Sequence, residues 1–324
     1  MDTPPDGATV RGYEEERDGS QWIVLDNGES HLELDATHGG RLVTWDYQPA
    51  DSAPIRLLSA PDAAITAGPA LLTSSGQTPE LSAGLGPASP SGLGDHFLPL
   101  TVAQRSFALG QARELGTFAA GPFESTLYAP TRDQQVVALR AAGGIRGAKR
   151  ITPLVLLKRL TLGRPGGEIS THYRIDNPEA KAVQIYFGVE FCFALSATAG
   201  ESDLPAYEFD GVRERGGYGA SGIARESTSV TLLDPQPDVT IRLGWERPAN
   251  VWVCPYPAGA AGAAIRGASV VAVWDLRLPP DDNWAVNLWL QVGPSGPVAP
   301  LDPALIARIA RPESEDEPWK PAGK

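Results

Sequence analysis

From position 183 to 195 every odd residue is apolar: Val183, Ile185, Phe187, Val189, Phe191, Phe193 and Leu195. The even positions carry Gln184, Tyr186, Gly188, Glu190, Cys192 and Ala194. Side chains of a strand alternate between two faces, whereas an amphipathic helix needs apolar positions three and four apart. The segment is therefore a strand. One face belongs to a core, and the other presents Gln184, Tyr186 and Glu190 together.

The same period recurs along the chain. Residues 22–25 and 31–35 flank Asp26-Asn27-Gly28, and Asn-Gly between two such runs is a hairpin signal because the tight turn needs positive φ. Residues 41–47 alternate, with Arg41, Val43, Trp45 and Tyr47 on one face. Residues 124–128, 135–140 and 155–162 read as further strands. Ile169, Thr171, Tyr173 and Ile175 alternate with Ser170, His172 and Arg174 and end at Asp176-Asn177-Pro178, a turn. That turn makes the strand from Val183 onward its hairpin partner. Val239, Ile241, Leu243 and Trp245 alternate again, and so do residues 270–278 and 284–292, joined by Pro279-Pro280-Asp281-Asp282-Asn283.

Helix is scarce. The best candidate is 302–311, with Asp302 as N-cap, Pro303 in the first turn and arginines in the last. Residues 1–19 read as a polar N-terminal tail, 20–311 as a single domain, and 312–324 as a disordered tail. A long Gly/Pro/Ser-rich loop at 60–95 interrupts the domain, and 200–222 is a second loop. Many strands, turn-rich connections and one short C-terminal helix define an all-β sandwich.

Charge narrows the partners. The chain has 27 Lys plus Arg against 39 Asp plus Glu, a net charge of −12. Nucleic acid and anionic membrane surfaces both need clustered basic residues, so neither is expected. There is no basic-then-apolar leader and no run of ~18 apolar residues, so the chain is expected to be soluble and cytoplasmic. No Walker loop, dinucleotide-binding glycine fingerprint, Cys-x-x-Cys pair, His-Glu-x-x-His or Gly-x-Ser-x-Gly occurs. No cofactor and no metal are expected. Cys192 and Cys254 read as small buried hydrophobes, with a bridge between them as the rival.

Four motifs, in order, resemble one known domain. They are His38-Gly39-Gly40-Arg41-Leu42-Val43-Thr44-Trp45, Asp95-His96-Phe97-Leu98, Glu114-Leu115-Gly116-Thr117-Phe118 followed by Gly121-Pro122-Phe123-Glu124, and Tyr186-Phe187-Gly188-Val189-Glu190-Phe191. The set resembles the C-terminal β-sandwich of the 4-α-glucanotransferases and α-amylases of glycoside hydrolase family 57, over about residues 20–292. The resemblance implies a galactose-mutarotase-like β-supersandwich and a setting in α-1,4-glucan metabolism. In that family the sandwich follows a catalytic barrel that carries the nucleophile and acid/base. This chain begins almost at the sandwich, so no catalytic residue is carried over.

Candidate binding residues follow from chemistry. Glu190 interrupts an apolar strand, and a carboxylate is rarely buried unless paired. It faces either a sugar-binding groove or an ion pair with Arg174 or Lys158. Gln184 and Tyr186 share its face and could hydrogen-bond hydroxyls or cover an apolar sugar face. His96 and Asp95 sit at the end of the long loop, and His suits proton transfer or hydroxyl recognition. Trp45 with Arg41, and Trp289 with Asn287 and Gln291, place an indole beside polar neighbours, as a stacking platform requires. The expected site is thus Gln184, Tyr186, Glu190, His96, Asp95, Trp45 and Arg41.

The expected function is an α-glucan or maltooligosaccharide-binding accessory sandwich, non-catalytic alone and partnered by a separately encoded catalytic barrel. Two rivals remain. One is an aldose epimerase pairing His96 or His172 with Glu190 as acid and base. The other is a structural protein-interaction sandwich with Glu190 buried in an ion pair.

Overall fold

Antiparallel strand pairing builds most of the described chain. The protein was studied as a computed structural model describing residues 10–48, 53–58, 92–147, 150–163, 167–195, 206–214, 218, 221–236, 239–257 and 265–294. Most of the 60–95 loop, the 302–311 helix and the 312–324 tail lie outside these residues. The first five strands are β1 (Arg11–Arg17), β2 (Ser20–Asp26), β3 (Ser30–Asp35), β4 (Arg41–Tyr47) and β5 (Ile55–Arg56), a meander in chain order. A turn at Asn27-Gly28 joins β2 to β3 as expected, but of the two residues only Gly28 has positive φ (85°), and Asn27 instead accepts from Glu29 N and Ser30 N through its side chain. Residues 11–17 are a paired strand rather than tail. Their run of Glu and Arg carries no apolar alternation because β1 is an edge strand.

The second sheet holds the remaining strands: β6 (Gly94–Leu98), β7 (Glu124–Thr131), β8 (Gln134–Arg146), β9 (Ile151–Gly163), β10 (Gly167–Asn177), β11 (Val183–Ala194), β12 (Tyr207–Phe209), β13 (Val212–Arg213), β14 (Gly222–Gln236), β15 (Val239–Pro257), β16 (Ile265–Leu278) and β17 (Asp282–Pro294). A one-turn helix, α1 (Gln104–Ala108), follows β6. β15 is long enough to pair twice. Its first half pairs with β17 and leads on to β10, β9, β8 and β7, whereas its second half pairs with β16, β11 and β6. The sheet therefore forks at β15.

The two branches pack face to face. Phe187 of β11 meets Tyr173 of β10 with ring centroids 5.7 Å apart and Trp284 of β17 at 5.7 Å. This corrects the expected hairpin between β10 and β11. Both edges of β10 are taken by β9 and β17, so the apolar face of β11 covers β10 instead of pairing with its edge. The turn at 279–281 makes the same crossing, from β16 to β17. Asn177, fully buried, ties the two crossings together by donating through Nδ2 to Lys181 O (2.9 Å), Leu278 O (3.3 Å) and Pro279 O (2.8 Å).

The meander closes the interior with Ile23, Leu25, Leu32, Leu34, Leu42 and Trp45. Leu34 pairs with Leu42 but Glu33 with Thr44, so Val43 is an extra residue. A bulge of this kind reverses the facing of everything beyond it. Trp45 consequently shares the buried face with Leu42, and not with Arg41 as simple alternation predicts. Among the described residues no helix is long and apolar enough to cross a membrane.

Candidate functional site

The adjacent residues Asp95 and His96 point to opposite faces of β6 and serve two separate buried networks. Asp95 points inward. Its Oδ2 lies 2.7 Å from Lys158 Nζ, with side-chain exposures of 0% and 1%. Lys158 also donates to Gly39 O (2.9 Å), Gly40 O (2.8 Å) and Leu93 O (3.2 Å). Gly39 has φ 85°, and a Cβ there would fall 2.5 Å from Ala119 O, so only glycine fits the turn that presents these carbonyls. Burial pushes the Lys158 ammonium below its usual range and the Asp95 carboxyl above it, each opposed by the other's charge. The cluster locks the glycine turn and β6 onto β9.

His96 points outward. Its Nδ1 faces Glu114 Oε2 at 3.3 Å and its Nε2 faces Glu190 Oε2 at 3.0 Å. Ser269 donates to Glu190 Oε1, and Phe97 N and Gly116 N donate to Glu114 Oε1 at 2.8 Å each. Burial opposes a charge on His96, but the bonds to Glu114 and Glu190 outweigh it and lift its pKa to about 10. His96 is an imidazolium between two carboxylates. Phe107 of α1 stands edge-on to it at 5.0 Å and meets Trp252 at 5.6 Å, so α1 lies over the network like a cover. Glu190 is thus ion-paired with His96, whereas Lys158 serves Asp95 and Arg174 pairs with Asp176 at 2.6 Å. Cys192 and Cys254 both pair in register with Ser269. The strand between them sets them roughly 9–10 Å apart, too far for a bridge, and neither forms a disulfide.

The seven expected site residues fall in three places. Asp95 and Trp45 are inside the core. Arg41 is half-buried beside the Lys158 cluster, whose ammonium it pushes further down. His96 and Glu190 are buried under α1, while Tyr186 is half-buried at the edge of that cover and Gln184 is exposed. Burial of Trp45 and Asp95 removes both from direct ligand contact. The pairing of His172 with Glu190 is not formed either. His172 lies on the outer face of β10 and Glu190 on the outer face of β11, with the Tyr173–Phe187 core contact between them.

A different constellation occupies the outer face of the other branch. Registers across β10, β17 and β15 set it out as a grid. Glu168, Gln291 and Arg242 form one row, Ser170, Trp289 and Gly244 the next, and His172 and Asn287 the third, continued by Glu246. Rows are about 7 Å apart and strands about 4.8 Å. The Trp289 indole lies across Gly244, where an added Cβ would come 2.1 Å from its Nε1. Ser229 of β14 and Thr161 of β9 extend the small-residue row on either side. Trp289 is only 8% exposed, yet its Nε1–H meets no acceptor among the described residues, and neither does Gln291 Oε1 meet a donor. A buried indole N–H without a partner costs roughly 1–3 kcal/mol, so Trp289 and Gln291 hold an unmet hydrogen-bonding demand just beneath this face.

The third row is wired. Asn287 Nδ2 donates to Glu246 Oε2 at 2.9 Å, and Asn287 Oδ1 lies 2.8 Å from His172 Nδ1. Burial lowers the His172 pKa. The Asn287 bond and Glu246 act the other way, and the Arg159 and Arg174 charges lower it further. Alternation in the sequence displayed each strand's contribution, Trp289 with Asn287 and Gln291, and His172 with Ser170. It could not show that these strands are neighbours. Among the described residues no group of three or more His, Cys, Asp or Glu could hold a metal ion.

A forked sheet over a small meander, polar on its outer face, defines the galactose-mutarotase-like class of β-sandwich. A galactose mutarotase-like protein from Clostridium acetobutylicum superposes with a TM-score of 0.58 at 8% identity, over 88% of this chain and 99% of its own. Within that class the chain belongs to the family of alpha-amylase/4-alpha-glucanotransferase C-terminal domains, whose model matches residues 90–258. The 4-alpha-glucanotransferase of Thermococcus litoralis superposes with a TM-score of 0.61 at 17% identity, over 87% of this chain and 39% of that protein. The chain thus spans about two fifths of that enzyme's length. A galactose mutarotase-like protein from Lactobacillus casei gives a TM-score of 0.53 at 13% identity, over 84% of this chain and 100% of its own. No curated protein matches the chain in sequence.

Proposed function

We propose that the chain is an α-glucan-binding module, non-catalytic by itself, acting beside a family 57-type catalytic barrel. The observation that carries this reading is Trp289. Its indole lies on Gly244 in a row of small residues, its Nε1–H is unsatisfied, and rows of amide, carboxylate, guanidinium and imidazole groups lie on either side. An aromatic body with a polar edge, surrounded by donors and acceptors, suits a ring with apolar faces and hydroxyl rims. The acidic net charge and the glucan-processing family support a neutral carbohydrate over a polyanion. Affinity electrophoresis tests the reading. Retardation in gels containing amylopectin, and not in gels containing carboxymethyl cellulose, is the expected result. Equal mobility in both would contradict it.

A further inference from the structure

The Glu246–Asn287–His172 chain fixes where the protons are. An ionised carboxylate only accepts, so the Asn287 amide must turn its NH2 group to Glu246. Its oxygen then faces His172, so His172 Nδ1 must carry the hydrogen in that 2.8 Å contact. In the neutral ring the lone pair is left on Nε2, which has no partner among the described residues. His172 is thus locked in one tautomer with its acceptor nitrogen unused, one row from the orphaned Trp289 Nε1.

We propose that a ligand hydroxyl donates to the bare Nε2 of neutral His172, and that acidification releases the ligand by placing a proton on that nitrogen. The inference rests on the saccharide reading of this face and adds a pH gate to it. Protonation turns the only acceptor His172 offers into a second donor. It also sets a cation among two others. Arg159 of β9 is directly opposite His172, and Arg174 is two residues along β10 on the same face. Against them stand Asp176, which pairs with Arg174 at 2.6 Å, Glu246 of β15, reached through uncharged Asn287 of β17, and Glu168 at the far end of the β10 face. Burial and the two guanidiniums favour the neutral ring, so the gate operates below the ordinary histidine range of about 6.5.

Calorimetric titration of the full chain with maltoheptaose from pH 8 to pH 4.5 tests this. Affinity is expected to be level above pH 7 and to fall by about tenfold per pH unit once His172 protonates. The His172→Gln variant keeps a neutral side chain with an acceptor oxygen and is expected to bind without that dependence. A second readout needs no variant. The His172 ring titration, followed by NMR, is expected to move to lower pH when maltoheptaose is present, because the ligand takes only the neutral form. Binding of equal strength across the whole range, or an unmoved ring titration under saturating maltoheptaose, would overturn the gate while leaving the saccharide reading standing. Absence of binding at every pH would overturn that reading and the gate with it.

Discussion

Lys158 Nζ lies 2.7 Å from Asp95 Oδ2 at the centre of the sandwich, where neither side chain meets water. The pair joins β9 to β6, and the ammonium also gathers three backbone carbonyls from the Gly39-Gly40 turn and Leu93. Removing one partner leaves the other charge buried and uncompensated. Lys158→Met is expected to cost about 3–5 kcal/mol of stability by urea unfolding. The double variant Lys158→Met, Asp95→Leu is expected to cost clearly less than the sum of the two single changes. Additive losses would show that the two charges do not depend on each other.

The His96 network predicts a pH dependence of stability on the alkaline side. Its pKa is raised from about 6.5 unfolded to about 10 folded, so the folded state holds the proton more tightly. The stabilisation is complete below pH 6.5, declines from there to about 10, and is absent above. Thermal melts between pH 6 and 10.5 are expected to show a falling transition temperature in the wild type. A shallower decline is expected in His96→Gln. An identical slope in both would exclude His96 as its source.

Asn177 tests the crossings between the branches. It is buried at the point where the turns after β10 and β16 meet, and its amide serves carbonyls from both. The amide's two N–H groups are shared among these carbonyls, so Asn177→Leu withdraws two donors from buried acceptors at roughly 1–3 kcal/mol each. A loss of about 2–6 kcal/mol in urea is expected, with β-sheet circular dichroism retained before the transition. A change below about 0.5 kcal/mol would mean that water replaces the amide without cost.

Individual strands were legible because alternation is a property of each segment alone. Val183 to Ala194, the Asn27-Gly28 hairpin and Arg41 to Tyr47 all form where the pattern places them. Which strands become neighbours is a property of faces and edges together. β10 and β11 look like a hairpin in the sequence, but two apolar faces stack across the core in place of two edges joining. The Val43 bulge reversed the facing of Trp45 with no signal in residue type. The site was hidden for the same reason. Glu190 was conspicuous as a charge in an apolar strand, and it proved to be held by His96 and Ser269. His172, Asn287, Glu246 and Trp289 are ordinary in their own strands and become a constellation only when β10, β17 and β15 lie side by side.

Gly244 separates the proposed binding role of Trp289 from its contribution to packing. Gly244→Ala puts a methyl where the indole now lies and forces Trp289 to lift or turn. The variant is expected to fold, since the change is on the outer face. Maltoheptaose affinity is expected to fall at least about tenfold, a difference of roughly 1.4 kcal/mol. Unchanged affinity in a folded Gly244→Ala protein would remove the indole from the site.

The most direct measurement is calorimetric titration of the intact chain with maltooligosaccharides of increasing length, with cellooligosaccharides as control, in the wild type and in Trp289→Ala. The account predicts saturable heat for the α-linked series alone, with affinity lost in Trp289→Ala while the melting transition persists. No heat from either series, or α-glucan affinity that survives in Trp289→Ala, would contradict an α-glucan site on this face.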